Sequence, residues 1–368
     1  MKIFMVHEDL RKAGNPYIIT LINGLQKAHP DCEIASGRDA FWSDDIFTFD
    51  VVHFHWAQAF MYGDPHTDAE LLHHIEKLKA AGVKVVTTCH DLEPHYNQCA
   101  SGAEAMKIVY SQCDAFFHLG DYSKQLFEQR YPAATHFLLP HHLYDTEYRS
   151  FPSREASLEH LGLPADRTYI LCFGTFRSDE ERQLVINLYR QLNNPKVSIL
   201  APGFIDVNLK RPNAILQLCK KIYYRYAYNI YSKRKSWGAV AEEDVPYYYG
   251  AADVCFIQRV KILNSGNALM PMLFGKVVVG PDCGNVGPLL KEWGYPVFPV
   301  DDLNHLGDIV RKAIDMGEAG FGTLHRQEQI NRYATAVITN KLYAYYTALL
   351  TPNSSLLPPN SSLLTPPS

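Results

Sequence analysis

No apolar run in this sequence approaches the roughly 20 residues that a membrane-spanning helix needs. The apolar part of Met1-Lys2-Ile3-Phe4-Met5-Val6-His7 is too short for a signal peptide and reads as a first β-strand. No Cys-x-x-Cys pair occurs. The eight cysteines (Cys32, Cys89, Cys99, Cys113, Cys172, Cys219, Cys255 and Cys283) are scattered, most of them in apolar stretches such as Leu171-Cys172-Phe173. That usage fits buried free thiols in a reducing compartment. The expected location is cytoplasmic, or peripheral at the inner face of the plasma membrane. An excess of positive charge is absent too. The chain carries 35 Lys and Arg against 39 Asp and Glu, and its net charge of −4 argues against a dedicated nucleic-acid binder. Sixteen histidines include His53-x-His55, His73-His74 and His141-His142. An H-x-H with a distant His and Asp could hold zinc, but no His-Glu-x-x-His or ligand-rich cluster occurs, so no metal is expected.

What is present is an ordinary globular composition, 47% hydrophobic and 20% charged, over 368 residues, enough for two domains. Strand-like and helix-like segments alternate. Strands are expected at Lys2–His7, Asp50–Phe54, Lys84–Thr88, Ala115–His118 and Thr135–Leu139, with helices such as Pro16–Ala28 and Thr67–Ala81 between them. The pattern pauses in a polar stretch near 150–167 and restarts at Tyr169-Ile170-Leu171-Cys172-Phe173-Gly174. Further strands are expected at Val197–Leu200, Val254–Ile257, Lys276–Val279 and Val297–Val300. The alternation implies α/β architecture, with parallel sheets covered by helices on both faces. The expected division is a Rossmann-like domain over 1–150 and a second over 151–335, joined by a linker near 147–168. A crossover helix over 336–350 and a disordered tail over 351–368 follow. The tail repeats a seven-residue pattern, Asn353-Ser354-Ser355-Leu356-Leu357-Pro358 and then Asn360-Ser361-Ser362-Leu363-Leu364-Thr365, whose two glycosylation sequons read as chance.

In open α/β sheets, ligands bind outside the carboxyl ends of the strands, and two such domains facing each other make a cleft. Polar residues stand at those ends: Glu8 and Asp9, His55 and Trp56, His90, Asp91 and His95, His141 and His142, then Gly174 and Arg177. The segment Asn264-Ser265-Gly266-Asn267 to Gly275-Lys276-Val277-Val278-Val279-Gly280-Pro281 reads as loop, short helix and buried strand. A helix N-terminus offers unpaired N–H groups and partial positive charge. Gly266 permits close backbone approach and Ser265 adds a hydroxyl, which suits a phosphate.

Several segments together resemble nucleotide-sugar glycosyltransferases of the GT-B fold, particularly bacterial enzymes of polysaccharide assembly. They are Asp50-Val51-Val52-His53-Phe54-His55-Trp56, Thr87-Thr88-Cys89-His90-Asp91-Leu92-Glu93-Pro94-His95, Leu139-Pro140-His141, Phe173-Gly174-Thr175-Phe176-Arg177, Glu243-Asp244-Val245-Pro246 through Ala251-Ala252-Asp253-Val254, and Ser265-Gly266 through Gly275-Lys276-Val277-Val278. In order they span about residues 1–300. The resemblance implies a hexosyltransferase-type enzyme with two Rossmann-like domains facing across a cleft and a last helix, about 326–350, crossing back to the first. The donor would be a UDP- or GDP-sugar and the acceptor a glycan or lipid-linked glycan. Two departures stand out. The glutamate pair of many retaining members is replaced by Ile262 and Met270. The lysine usually found after the Arg177 position is missing, with Arg182 as a substitute. Inversion and retention both stay open.

Transfer from a nucleotide sugar requires stabilisation of the leaving diphosphate and positioning of the acceptor hydroxyl. Ser265, Gly266 and Asn267 are the expected diphosphate binders, with Gly174 in the neighbouring turn and Arg177 and Arg182 as cations. The plainer reading of Arg177 is an ion pair with Asp179, Glu180 or Glu181. His90 is implied to contact the donor sugar, and Asp91 is the candidate base if the enzyme inverts. His55, Trp56, His95 and His141 are further substrate-binding candidates, as is Asn15 beside Gly14 at the start of the first helix. His53 and His55 share one strand face and could equally be satisfied core residues. Three rivals remain: a nucleotide-sugar epimerase, a non-catalytic GT-B partner protein and, more distantly, a zinc hydrolase.

One stretch is unusual. Lys210 to Gly238 holds Lys210, Arg211, Lys220, Lys221, Arg225, Lys233, Arg234 and Lys235 with no acidic residue. At helical spacing Ile215, Cys219, Ile222, Tyr226 and Ile230 form an apolar face. The segment reads either as a core-packed helix with a solvated basic face or as a surface that docks, through about 210–235, on anionic membrane.

Overall fold

The computed structural model describes residues 1–7, 16–93, 100–205, 214–232 and 240–351. Asn15, His95, Lys210, Arg211, Lys233, Arg234, Lys235 and the tail from 352 therefore lie outside the described residues. The chain forms two compact units, Met1–His142 with the chain from Tyr333, and Leu143–Arg332.

The first unit is built on β1 (Lys2–Val6), β2 (Glu33–Ser36), β3 (Val51–Phe54), β4 (Lys84–Cys89), β5 (Ala115–His118) and β6 (Thr135–Leu138). Its helices are α1 (Tyr17–Ala28), α2 (Arg38–Phe41), α3 (Ala57–Phe60), α4 (Asp68–Ala80), α5 (Ala100–Gln112) and α6 (Asp121–Arg130). All strand pairs are parallel, in the order β2-β1-β3-β4-β5-β6. Every residue of β3 and β5 is buried, as a sheet covered on both faces requires. Helix α4 starts with a full capping box, Thr67 and Glu70 each satisfying the other's backbone N–H.

The second unit begins with α7 (Arg154–Leu161), which occupies the stretch expected as linker. Ser153 caps α7, Gly162 ends it in the left-handed region, and Leu158 and Leu161 are buried. Its strands are β7 (Thr168–Leu171), β8 (Val197–Leu200), β9 (Ile230–Tyr231), β10 (Val254–Phe256), β11 (Val277–Pro281) and β12 (Val297–Phe298). Its helices are α8 (Asp179–Leu192), α9 (Ala214–Tyr228), α10 (Val245–Ala251), α11 (Gly266–Leu273), α12 (Val286–Glu292), α13 (Leu306–Glu318) and α14 (Phe321–Tyr333). The sheet is again parallel, β12-β11-β10-β7-β8-β9.

Both sheets are Rossmann-like. The strand order reverses between β1 and β3 in one and between β7 and β10 in the other, and these are the points where such sheets bind ligands. The sequence reading missed β2 and β9. Ile230, expected on a helical face, instead pairs with Ile199 because Asn229 (φ 49°) has already left the helix. The expected last helix is two. After α14 the backbone is extended at Ala334 (φ −54°, ψ 144°), and α15 (Thr335–Leu350) then lies along α1. The approach is close at Gly24, where a Cβ would stand 2.7 Å from Thr339 Cγ2 and 2.8 Å from Thr335 Cγ2. Of the seven described cysteines, all free, five are buried and Cys283 is half-buried; Cys219, against expectation, is exposed.

Candidate functional site

In the first unit the carboxyl ends of β1, β3, β4 and β6 bring histidines to one place. Strand alternation puts His53 and His55 on one face, with rings stacked at 4.2 Å. His53 is satisfied within the core, between the Tyr346 hydroxyl at 2.5 Å and the Thr88 hydroxyl at 2.8 Å. His55 Nδ1 lies 3.1 Å from His90 Nε2 and forms a hydrogen bond with it; His55 Nε2 is buried with no hydrogen-bond partner among the described residues. Trp56 stacks on His90 at 4.0 Å, and Tyr17, the first residue of α1, meets His90 edge-on at 5.0 Å. Tyr17 also packs on His141 and stacks on His142, whose Nε2 donates to the Tyr17 carbonyl at 3.0 Å. Asp91 is buried in a turn held by the Tyr110 hydroxyl, which donates to the Asp91 carbonyl at 2.9 Å.

This environment fixes the protonation states. Burial pulls His55 down to about 3, with nearby His7 adding to the effect, and burial pulls His141 down to about 4. His53, His90 and His142 are lowered well below the ordinary value, first by burial and then by neighbouring histidines. At neutral pH the cluster is a set of uncharged imidazoles, each able to donate from one nitrogen and accept at the other. Such a surface can orient a hydroxyl, and Asp91 adjoins it.

In the second unit the switch point lies between the ends of β7 and β10. After β7 the chain turns at Gly174 (φ 95°), where a Cβ would stand 3.3 Å from Asn267 Nδ2. Asn267, in the first turn of α11, donates to the Phe173 carbonyl at 2.8 Å and so ties this turn to the helix. Gln258, buried after β10, also points its Nε2 at that carbonyl, 3.4 Å away, while its Oε1 is buried without a hydrogen-bond partner among the described residues. Ser265 occupies the N-cap of α11, but its hydroxyl makes no capping bond, and Ser265, Gly266 and Asn267 are all partly exposed. The N-terminus of α11 thus has no side-chain cap, and a helix end of this kind carries unpaired first-turn amides and partial positive charge. The loop entering α11 is braced from behind: the Asn285 N–H donates to the Leu263 carbonyl and Asn285 Nδ2 to Asn264 Oδ1, both at 2.8 Å.

Acidic residues after β7 serve the turn itself. Glu181 is buried, accepting the Arg177 N–H at 2.8 Å and pairing with Arg259 at 2.7 Å. Gly203 completes the turn from β8, where a Cβ would fall 2.2 Å from the Gly174 carbonyl oxygen. That neighbour is backbone and cannot swing away. Gly203→Ala is therefore expected to cost about 2 kcal/mol and to lower the melting temperature by about 5 °C; a calorimetric melt checks it.

No protein-family model matches the chain, and no curated protein matches its sequence. Solved structures do match the fold. Sucrose-phosphate synthase from Thermosynechococcus elongatus superposes with a TM-score of 0.71 at 15% identity, covering 95% of this chain and 98% of that one. HepE from Anabaena, in complex with UDP-glucose, gives 0.69 at 15% identity, covering 94% and 99%. A structure named as a candidate UDP-N-acetylglucosamine 2-epimerase from Listeria monocytogenes gives 0.60 at 11% identity, covering 96% and 97%. The chain has the GT-B fold.

Within this GT-B chain the expected residues part company. His55, Trp56, His90 and His141 assemble in the first unit, with Asp91 adjoining through His90; Gly174, Ser265, Gly266 and Asn267 assemble in the second. Arg177 is exposed beside the turn. Arg182 does not face outward as a substitute cation. It is buried, with Nε donating to the Phe204 carbonyl at 3.0 Å, Nη2 to the Phe176 carbonyl at 3.4 Å and Nη1 to Asp179 at 3.0 Å. Helix α8 points Arg182 inward, where it braces the loops. Of the acids in the plainer reading of Arg177, Asp179 pairs with Arg182 and Glu181 with Arg259. Ile262 and Met270, at the places of the glutamate pair, are buried apolar side chains. Sequence reasoning missed Tyr17, Gln258 and Gly203. Only Pro202-Gly203 after a strand carried a readable turn signal.

Proposed function

We propose that the protein is a glycosyltransferase that moves a hexose from a UDP- or GDP-sugar to a glycan or lipid-linked glycan in polysaccharide synthesis. The observation that carries this reading is the uncapped N-terminus of α11 tied by Asn267 to the Phe173-Gly174 turn at the switch point. Amides of the first helical turn, with Ser265 and Arg177, neutralise a diphosphate as it leaves, without a metal ion. Gln258 Oε1 accepts from a donor group of the nucleotide. The neutral imidazoles of His55, His90 and His141, with Trp56, orient sugar hydroxyls, and Asp91 takes the acceptor proton if the configuration inverts. His95 and Asn15 are assigned to substrate binding on the resemblance alone.

The epimerase reading draws on the Listeria monocytogenes neighbour, which shares the fold. Incubation with nucleotide sugars, with and without membrane and glycan acceptors, separates the two. A transferase releases nucleoside diphosphate and labels the acceptor. An epimerase converts the donor with no acceptor present. Release of neither product, with nucleotide binding retained, would mark a non-catalytic partner protein.

A further inference from the structure

Helix α9 lies with its apolar side outward. Tyr224 packs edge-on against Phe204 at 4.9 Å, Tyr228 lies near Tyr189 and under the Arg190 guanidinium, and Arg225 stacks on the Tyr231 ring at 3.7 Å while donating to Asn229 Oδ1 at 2.9 Å. These polar and aromatic residues hold the helix to its unit. The opposite arc carries Leu218, Ile222 and Tyr226 in one i, i+4 row and Cys219 and Tyr223 in the next, all exposed. Leu218 is 57% and Tyr226 86% accessible, values out of keeping with core residues. Helical periodicity had placed Cys219, Ile222 and Tyr226 together, and they are together, but on the solvent side.

We infer that this face of α9 docks on an anionic lipid surface, lying in the headgroup plane with Leu218, Ile222 and Tyr226 inserted and Lys220 at the rim. Charge selects the occupant. The segment from Lys210 to Gly238 has eight basic residues and no acidic one on a chain of net charge −4. Two copies meeting through this face would bring the exposed Lys220 of each together in a segment with no acidic residue to offset it, whereas an anionic bilayer complements it. Tyrosines flanking aliphatic side chains match the boundary between headgroups and acyl chains, with an apolar ring below and a hydroxyl in water. Among the described residues no helix is long and apolar enough to cross a membrane, and α9, with one apolar arc exposed and the other packed on its unit, suits attachment in the plane.

Flotation of the full chain with vesicles tests this. Binding is expected to vesicles containing about 30% phosphatidylglycerol, to be lost in pure phosphatidylcholine, and to weaken as salt rises. Lys220→Gln should weaken it about fivefold, and the triple variant Leu218→Ser/Ile222→Ser/Tyr226→Ser by about 100-fold or more. The three side chains are exposed, so the triple variant should melt like the parent, which separates lost docking from lost folding. Three results would overturn the inference: no vesicle binding, binding unchanged in the triple variant, or a dimer of the parent chain that the triple variant converts to monomer. Vesicle binding needs no nucleotide, so its failure leaves the transferase reading standing.

Discussion

His90→Ala is expected to lower the rate of sugar transfer by a factor of about 10² to 10³, the usual effect of removing one positioned hydrogen-bonding group from a transition state. His90 is the hub of the first unit's cluster. It shares a hydrogen bond with His55, stacks on Trp56 and abuts Tyr17. The groups assigned to the nucleotide all belong to the second unit, so nucleotide binding should survive. Steady-state rates and a nucleotide-induced melting shift, measured on the same preparation, test both halves. Loss of nucleotide binding alongside activity would mean that His90 acts through the fold. Unchanged activity would remove it from the reaction.

Lowering the pH from 7 to 5 should destabilise the protein by at least about 6 kcal/mol and drop its melting temperature by about 15 °C or more. The sign follows from where protons bind. His55 and His118 are held near 3 by burial and His141 near 4, against an ordinary value of 6.5. As the pH falls through 6.5 the unfolded chain takes up protons that the folded chain refuses, so stability present above about pH 7 is lost. Each of these three histidines accounts for about 2 kcal/mol at pH 5. His53, His90 and His142, lowered in the same direction, add to the loss. A melting temperature that stays flat from pH 7.5 to 5 would show that the cluster is hydrated and titrates normally.

The parts of the site legible in the sequence are those that local rules dictate. A period of two puts His53 and His55 on one face. A Ser-Gly before an apolar run marks the start of α11, and Gly275 (φ 64°) ends the segment as expected. Contacts between distant residues were not legible. Nothing near Tyr17 in the chain announces four histidines around it, and nothing near Gln258 announces that it shares the Phe173 carbonyl with Asn267. Arg182 shows how spacing misleads. One helical residue among acids reads as exposed, yet its position on α8 points it into the loops it braces. Helix α9 makes the same point, because periodicity says which side chains share a face but not whether that face meets the core or the solvent.

Thermal unfolding with UDP, GDP, dTDP, CMP and their sugars, without added metal, is the most direct test of the central claim that the second unit's switch point holds a nucleoside diphosphate. At about 100 times its dissociation constant a ligand stabilises the fold by about 2.7 kcal/mol, equivalent to a rise of roughly 5 to 10 °C. The account predicts such a rise for one nucleoside diphosphate and its sugars. Melting temperatures unmoved by every member of the panel would contradict it.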